Sequence, residues 1–185
     1  MTATRLPRSG NAALAAGALI QAVIGLEFIL AGLNKIANPD FSTQFKTFVE
    51  GSPGASHGLL APFMQALIVP HVALAADLVK FTELGAGIVL VVSAIEVARR
   101  RFAGRIGAQE PYEAALALAG VAASLAIGGM SLAIFLLEGG QLPMIGGAFA
   151  FGSPIAVELL IVPLAVAIAW LEFGRFRALS IHPTS

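Results

Sequence analysis

Asp77, Lys80 and Glu83 stand three residues apart in the run Ala76-Asp77-Leu78-Val79-Lys80-Phe81-Thr82-Glu83-Leu84-Gly85-Ala86-Gly87. On a helix, successive members of that series lie about 60° apart around the axis, so the cation and its flanking carboxylates can interact. Such a set can hold and release a proton, and its ammonium group can donate hydrogen bonds. Glu27, Lys35, His71, Glu138 and Glu158 are further ionisable residues in or beside apolar segments. Charges within a membrane span are costly and face protein, a wet cavity or one another. The elements around these residues must therefore bury or pair them.

Composition defines the solvent for those elements. Hydrophobic residues make up 57% of the 185 residues and charged residues only 12%, about half the ~25% usual in soluble domains. With a mean hydropathy of +0.86, the chain reads as an all-α integral membrane protein, one domain over residues 1–185. Net charge is formally zero, which leaves no footprint for nucleic acid. Cysteine is absent, so thiolate metal sites, disulfides and iron–sulfur clusters are not part of this chain's chemistry. His71 is the only histidine in an apolar segment, and no spacing suits a metal or a two-histidine haem. No dinucleotide fingerprint, phosphate loop or nucleophile elbow is present.

Four segments, about 11–36, 67–97, 112–137 and 154–173, each match or exceed the ~20 residues that cross ~30 Å of hydrocarbon. The first is too long for a secretory signal and is expected to be a retained helix. Arg5 and Arg8 precede it, Arg99, Arg100, Arg101 and Arg105 follow the second segment, and Arg175 and Arg177 follow the fourth. The other two links hold a single basic residue, Lys46. The positive-inside rule then puts both termini and the 99–110 loop in the cytoplasm, in a multi-pass protein of the cell membrane. In the first outer link, Phe41, Phe45, Phe48 and Val49 recur at helical spacing. They predict a short amphipathic helix over Asp40–Glu50, capped by Asp40 or Ser42 and ended by Gly51-Ser52-Pro53-Gly54, with its Phe face against the bundle or lipid. The second outer link is rich in Gly (Gly139, Gly140, Gly146, Gly147, Gly152) and is expected to lie over the bundle or dip into it. Small residues mark packing faces: Ala13, Gly17 and Gly25 on the first helix, and Gly120, Ser124 and Gly128 on the third.

Counting from the arginines at ~1.5 Å per residue puts Glu27, Lys35, Asp77, Lys80, Glu83, Glu138 and Glu158 in the outer half. The inner halves read as almost purely apolar. Glu27 is the deepest, with Asn34 as the polar neighbour on its face and Lys80 its simplest partner. A shared outward-open polar pocket with Glu27 as its floor is the expectation. Its alternative is an ordinary ion-pair ladder at the interface.

Two stretches carry a resemblance. Ile24-Gly25-Leu26-Glu27-Phe28-Ile29-Leu30-Ala31-Gly32-Leu33-Asn34-Lys35-Ile36, followed by Asn38-Pro39, resembles the first helix of the DoxX/DoxD family, an apolar helix ending in a small residue, Gly, and then Lys. Val69-Pro70-His71 through Glu83-Leu84-Gly85-Ala86-Gly87-Ile88-Val89-Leu90 is similar to the family's second helix, with its Pro-containing start and Glu-Leu-x-x-Gly-x-x-Leu. The match covers about the first half of the chain and rests on Gly32, Lys35, Glu83 and Gly87. Asp77 and Lys80 depart from it, standing where apolar or aromatic residues are common. The second half resembles the family in hydropathy and topology alone.

The resemblance implies a compact four-helix membrane subunit of a redox complex, such as the small subunit of a thiosulfate:quinone oxidoreductase. On that expectation the candidate catalytic residues are Glu27, Lys80 and Glu83: Lys80, or else His71, donates to a quinone oxygen, and Glu27 or Glu83 exchanges its proton with the outer aqueous phase. Lys35, His71, Asp77, Phe81 and Glu158 line a quinone or polar pocket, with Phe149 and Phe151 closing an apolar slot. The chain would not be catalytic alone: quinone is the one cofactor, held without a covalent bond or metal, and electrons come through a partner subunit. The alternative is a non-catalytic accessory subunit whose charges only register its helices.

Overall fold

In hydrocarbon a chain must satisfy its backbone hydrogen bonds within itself, and long runs of Ala, Leu, Ile and Val do so as helices. The computed structural model describes residues 8–102, 110–140 and 155–181, and apart from short turns these are helical throughout. The elements are α1 (Arg8–Ala37), α2 (Phe41–Gly51), α3 (Pro53–His57), α4 (Ala61–Phe63), α5 (Val72–Phe102), α6 (Glu113–Leu137) and α7 (Val157–Ile181). Four stretches, Ala12–Ala37, Ala61–Arg100, Glu113–Leu137 and Val157–Ser180, are long and apolar enough to cross a membrane. The chain is thus built as a multi-pass membrane protein in a lipid bilayer.

Two segments are longer than their sequence limits. The second, expected over 67–97, belongs to a continuous run in which α4 passes through a π-helical turn (Met64–Ile68) and a 3₁₀ turn (Val69–His71) into α5. Pro70 lies in the 3₁₀ turn, where its missing N–H and fixed φ are tolerated. The membrane-compatible part is 40 residues, roughly 60 Å of helix and about twice the hydrocarbon thickness. The fourth segment, expected to stop at 173, continues to Ile181. Gly174 meets no neighbour within 4 Å there, so nothing forces a break.

The helix expected over Asp40–Glu50 is α2. Asp40 occupies its N-terminal cap position, yet neither it nor Ser42 makes a side-chain cap. Asn38 Oδ1 instead accepts from the Asp40 N–H at 3.0 Å. Val49 is fully buried with Ala55, Met64 and Leu137, and Phe45 packs on that cluster. The apolar face of α2 therefore covers the bundle end. Of the Gly-rich link, Gly139 and Gly140 are described; Gly146, Gly147, Phe149, Phe151 and Gly152 lie outside the described residues. Gly139 (φ +100°) and Gly140 (φ +61°) end α6, with the Gly140 N–H on Phe135 O at 2.9 Å and the Gly139 N–H on Leu136 O at 3.2 Å. Only glycine adopts that left-handed pair without strain.

The central core is Ile24 and Phe28 of α1, Ala86 and Leu90 of α5, Ala123 and Ile127 of α6, and Ala165 and Ile168 of α7. α1 lies along α5, α6 along α7, and α5 joins the two pairs. Glycines bring the first pair together. A Cβ on Gly87 would stand 2.7 Å from Gly25 O and from Ile29 N, and one on Gly32 2.7 Å from Leu84 N. The small stripe of α6 meets α7: Gly128 faces the Ala165 methyl and Gly120 faces Glu172. Of the expected α1 stripe, Gly17 and Gly25 are buried and Ala13 is exposed. Gly87→Val should push α1 from α5 and lower stability to SDS-induced unfolding in mixed micelles by about 1–3 kcal/mol. Gly85→Ala, with nothing within 4 Å of its Cβ position, should leave it unchanged or slightly higher.

Candidate functional site

α1 and α5 run antiparallel, and their glycine contacts bring Lys35 opposite Glu83. Lys35 Nζ lies 2.6 Å from Glu83 Oε2. The two meet as charges rather than along a well-aligned hydrogen bond. Glu83 is buried, whereas the Lys35 side chain keeps 27% of its surface and its Nζ stands 5.9 Å from the Phe41 ring centre. The couple is thus a carboxylate sealed between helices and a cation at the rim under α2.

The other expected site residues do not join it. Lys80 Nζ pairs with Asp77 Oδ1 at 2.7 Å within α5 and lies 5.6 Å from the Phe81 ring centre. Asp77 and Phe81 are on the exposed face of that helix, and His71 is exposed beside Pro70. Glu158 is half-buried at the start of α7 and acts electrostatically on Glu138. Glu27 is the clearest departure. Its side chain lies on the exposed face of α1 beside Leu26 and Leu30, and no ion pair forms with Lys80 or any other described residue. It is not the floor of a pocket shared with Asp77, Lys80 and Glu83, because the glycines that bring α1 onto α5 turn the Glu27 face away from the bundle. A surface groove of about 390 Å³ does lie at the same end, lined by Thr47, Phe48, Gly51, Ser52, Pro53 and Glu138. Of the ionisable residues assigned to the outer half, Glu138 alone belongs to its lining.

The opposite end is far from apolar. Glu96, Glu113 and Glu172 are all buried. Arg99 grips Glu96 through both Nε and Nη2 and reaches Glu113 Oε1 at 3.3 Å. Arg100 Nη1 meets Glu113 Oε2 at 2.9 Å. The Tyr112 hydroxyl donates to Glu96 Oε2 at 3.1 Å, and the Glu110 N–H to Glu113 Oε1 at 2.7 Å. On the other side, Gln21 Nε2 donates to Glu172 Oε1 at 2.7 Å and Arg175 Nη1 lies 3.2 Å from Glu172 Oε2. The expectation of an apolar inner half was wrong. The signal was in the sequence: Glu96/Arg99 and Glu172/Arg175 repeat the three-residue spacing of Asp77/Lys80. Read only as topology markers, the arginines hid their partners.

The chain matches no family model, no curated protein and no solved structure. What the arrangement can do chemically must therefore come from the contacts themselves. Each buried carboxylate among the described residues, Glu83, Glu96, Glu113 and Glu172, has a cation in contact and is neutralised in place.

Glu138, beyond the end of α6, has its carboxyl held above the usual range, first by partial desolvation and then by the neighbouring Glu158 charge. Its native form thus binds a proton more tightly than the unfolded chain does. The contribution is favourable at low pH and is lost as pH rises from the ordinary carboxylate range through the raised value. Glu158→Gln should lower the Glu138 titration midpoint, followed by NMR of a carboxyl-labelled sample. An unchanged midpoint would assign the shift to desolvation alone.

Proposed function

We propose that the chain is a small accessory subunit of a larger membrane redox complex, of the DoxX/DoxD kind, with both termini and the Arg99 end in the cytoplasm. The observation that carries this reading is the α1–α5 seam. Gly32, Lys35, Glu83 and Gly87, the four residues on which the resemblance rests, all belong to it: two glycines in backbone contact and one buried ion pair. A set of residues drawn from two distant stretches has one structural job.

On this reading the quinone donor is Lys35 rather than Lys80 or His71. An ammonium group has three N–H donors, Glu83 fixes its position, and the part-exposed side chain leaves donors for a carbonyl oxygen. Phe41, beside it, supplies an apolar flank. Lys80, Asp77 and Phe81, on the lipid-facing side of α5, would meet a ring arriving through the bilayer. Quinone would accept electrons delivered by a partner subunit; this chain would hold and orient it. A second reading, a structural subunit with no quinone, is favoured by the pairing of every buried carboxylate described above.

Quinone extracted from the chain purified in mild detergent separates the two. Wild type should carry quinone that Lys35→Met loses while remaining folded. Equal quinone in both, or none in wild type together with an intact larger complex on a native gel, would remove the quinone role. Orientation has its own test, aided by the absence of native cysteine. Cysteine at the exposed Ser56 should react with an impermeant maleimide in intact cells, and cysteine at the exposed Ala178 should not. The reverse pattern would invert the topology.

A further inference from the structure

The face of α1 turned away from the bundle has a regular form. Ala16, Ile20, Val23, Glu27, Leu30 and Asn34 alternate at spacings of four and three. Val23 and Leu30 are 61% and 63% exposed; Ala16, Glu27 and Asn34 are exposed, while Ile20, at the edge of this face, is half-buried and also packs against the chain's own core. That is the seam of a heptad repeat, with Ile20, Glu27 and Asn34 at a and Ala16, Val23 and Leu30 at d. Leu19, Leu26 and Leu33, all exposed, fall at g and widen the apolar strip on one side. On the other side Gly17 and Ile24 are buried in the chain's own bundle.

The two polar members of the seam stand one heptad apart, and neither has a partner among the described residues. Glu27 is ten residues, or about 15 Å, inside the end of α1, where a carboxyl facing lipid is costly. In a parallel two-stranded coil each a residue faces its own copy across the two-fold axis. Glu27 then meets Glu27 of the second copy, and Asn34 meets Asn34. Both groups suit self-pairing: a side-chain amide carries donors and an acceptor, and a carboxyl pair that holds one proton has a donor and acceptors. A second copy thus meets the needs of both residues in one register, with no other chemistry required. Membrane helices pair at the same shallow left-handed crossing as soluble coiled coils, with interhelical polar bonds as glue.

We propose that α1 is a homodimer interface, two copies of this chain packing in parallel through the Ala16–Asn34 seam, with Glu27 and Asn34 each hydrogen-bonded to its own copy. The dimer stands independently of the redox reading. It gives the one carboxyl of α1 a partner, and it leaves the exposed faces of α5, α6 and α7 to lipid or to other subunits.

The test is disulfide cross-linking of single-cysteine variants of the full chain in liposomes, with dimer fraction followed by fluorescence energy transfer between labelled copies. Val23→Cys and Leu30→Cys should cross-link, while Ile88→Cys on α5 and Leu125→Cys on α6, also exposed, should not. Glu27→Leu should weaken the dimer roughly three- to tenfold, the size of one interhelical hydrogen bond. Glu27→Gln, whose amide pairs with itself, should weaken it less. Cross-linking at α5 or α6 equal to that at α1, a monomer at every lipid ratio, or a dimer indifferent to Glu27→Leu would each overturn the proposal.

Discussion

A carboxylate enclosed between helices must keep a cation or hydrogen-bond donors in contact, because its desolvation is not otherwise offset. Four carboxylates obey that constraint here, and each ties its own helix to another part of the bundle. Glu83 of α5 holds Lys35 of α1, and Glu113 of α6 holds Arg99 and Arg100 of α5. Glu172 of α7 holds Gln21 of α1, while Glu96 of α5 takes the Tyr112 hydroxyl at the start of α6. Between the two polar ends lies the apolar middle of Ile24, Phe28, Leu90, Ile127 and Ile168. In lipid, apolar surface gives helices little reason to choose one another. Close glycine contacts set how near they approach, and the buried ion pairs set which residues face.

That division explains why Lys35 and Glu83 have a different character from the Arg99 end. At the Arg99 end, Arg99 and Arg100 share Glu96 and Glu113 with the Tyr112 hydroxyl and the Glu110 N–H, while Arg175 and Gln21 hold Glu172 as a separate group. Lys35 and Glu83 form a single couple whose cation is partly open beneath α2. A group with donors to spare at the rim of a sealed carboxylate suits ligand recognition; a closed network suits registration of helices.

Hydropathy made the four spans legible, and helical spacing located α2, because both depend on properties local to a segment. The small-residue stripe of α6 was legible for the same reason, and it packs on α7 as such stripes do. Glu27 was misread because depth along a helix is not direction around it: the residue is deep, yet Gly25 and Gly32 turn the neighbouring face to α5 and leave Glu27 outside. The Glu96, Glu113 and Glu172 networks were missed because arginines at span ends were given one meaning, topology, when their side chains also fold back onto carboxylates one turn away. The length of the second span escaped because the expected segment began at Leu67, whereas a π-helical turn and the 3₁₀ turn holding Pro70 join it back to Ala61.

The central claim, that these buried pairs specify the bundle, is tested most directly by a double-mutant cycle at Lys35 and Glu83, with stability measured by SDS titration in mixed micelles. Lys35→Met alone leaves a buried carboxylate without its cation and should cost roughly 3 kcal/mol, the lower end expected for a buried pair because Lys35 is partly exposed. Adding Glu83→Leu should restore most of that loss, since two apolar residues in contact carry no uncompensated charge. Losses that simply add in the double variant would show that the two side chains act independently, and would contradict the account.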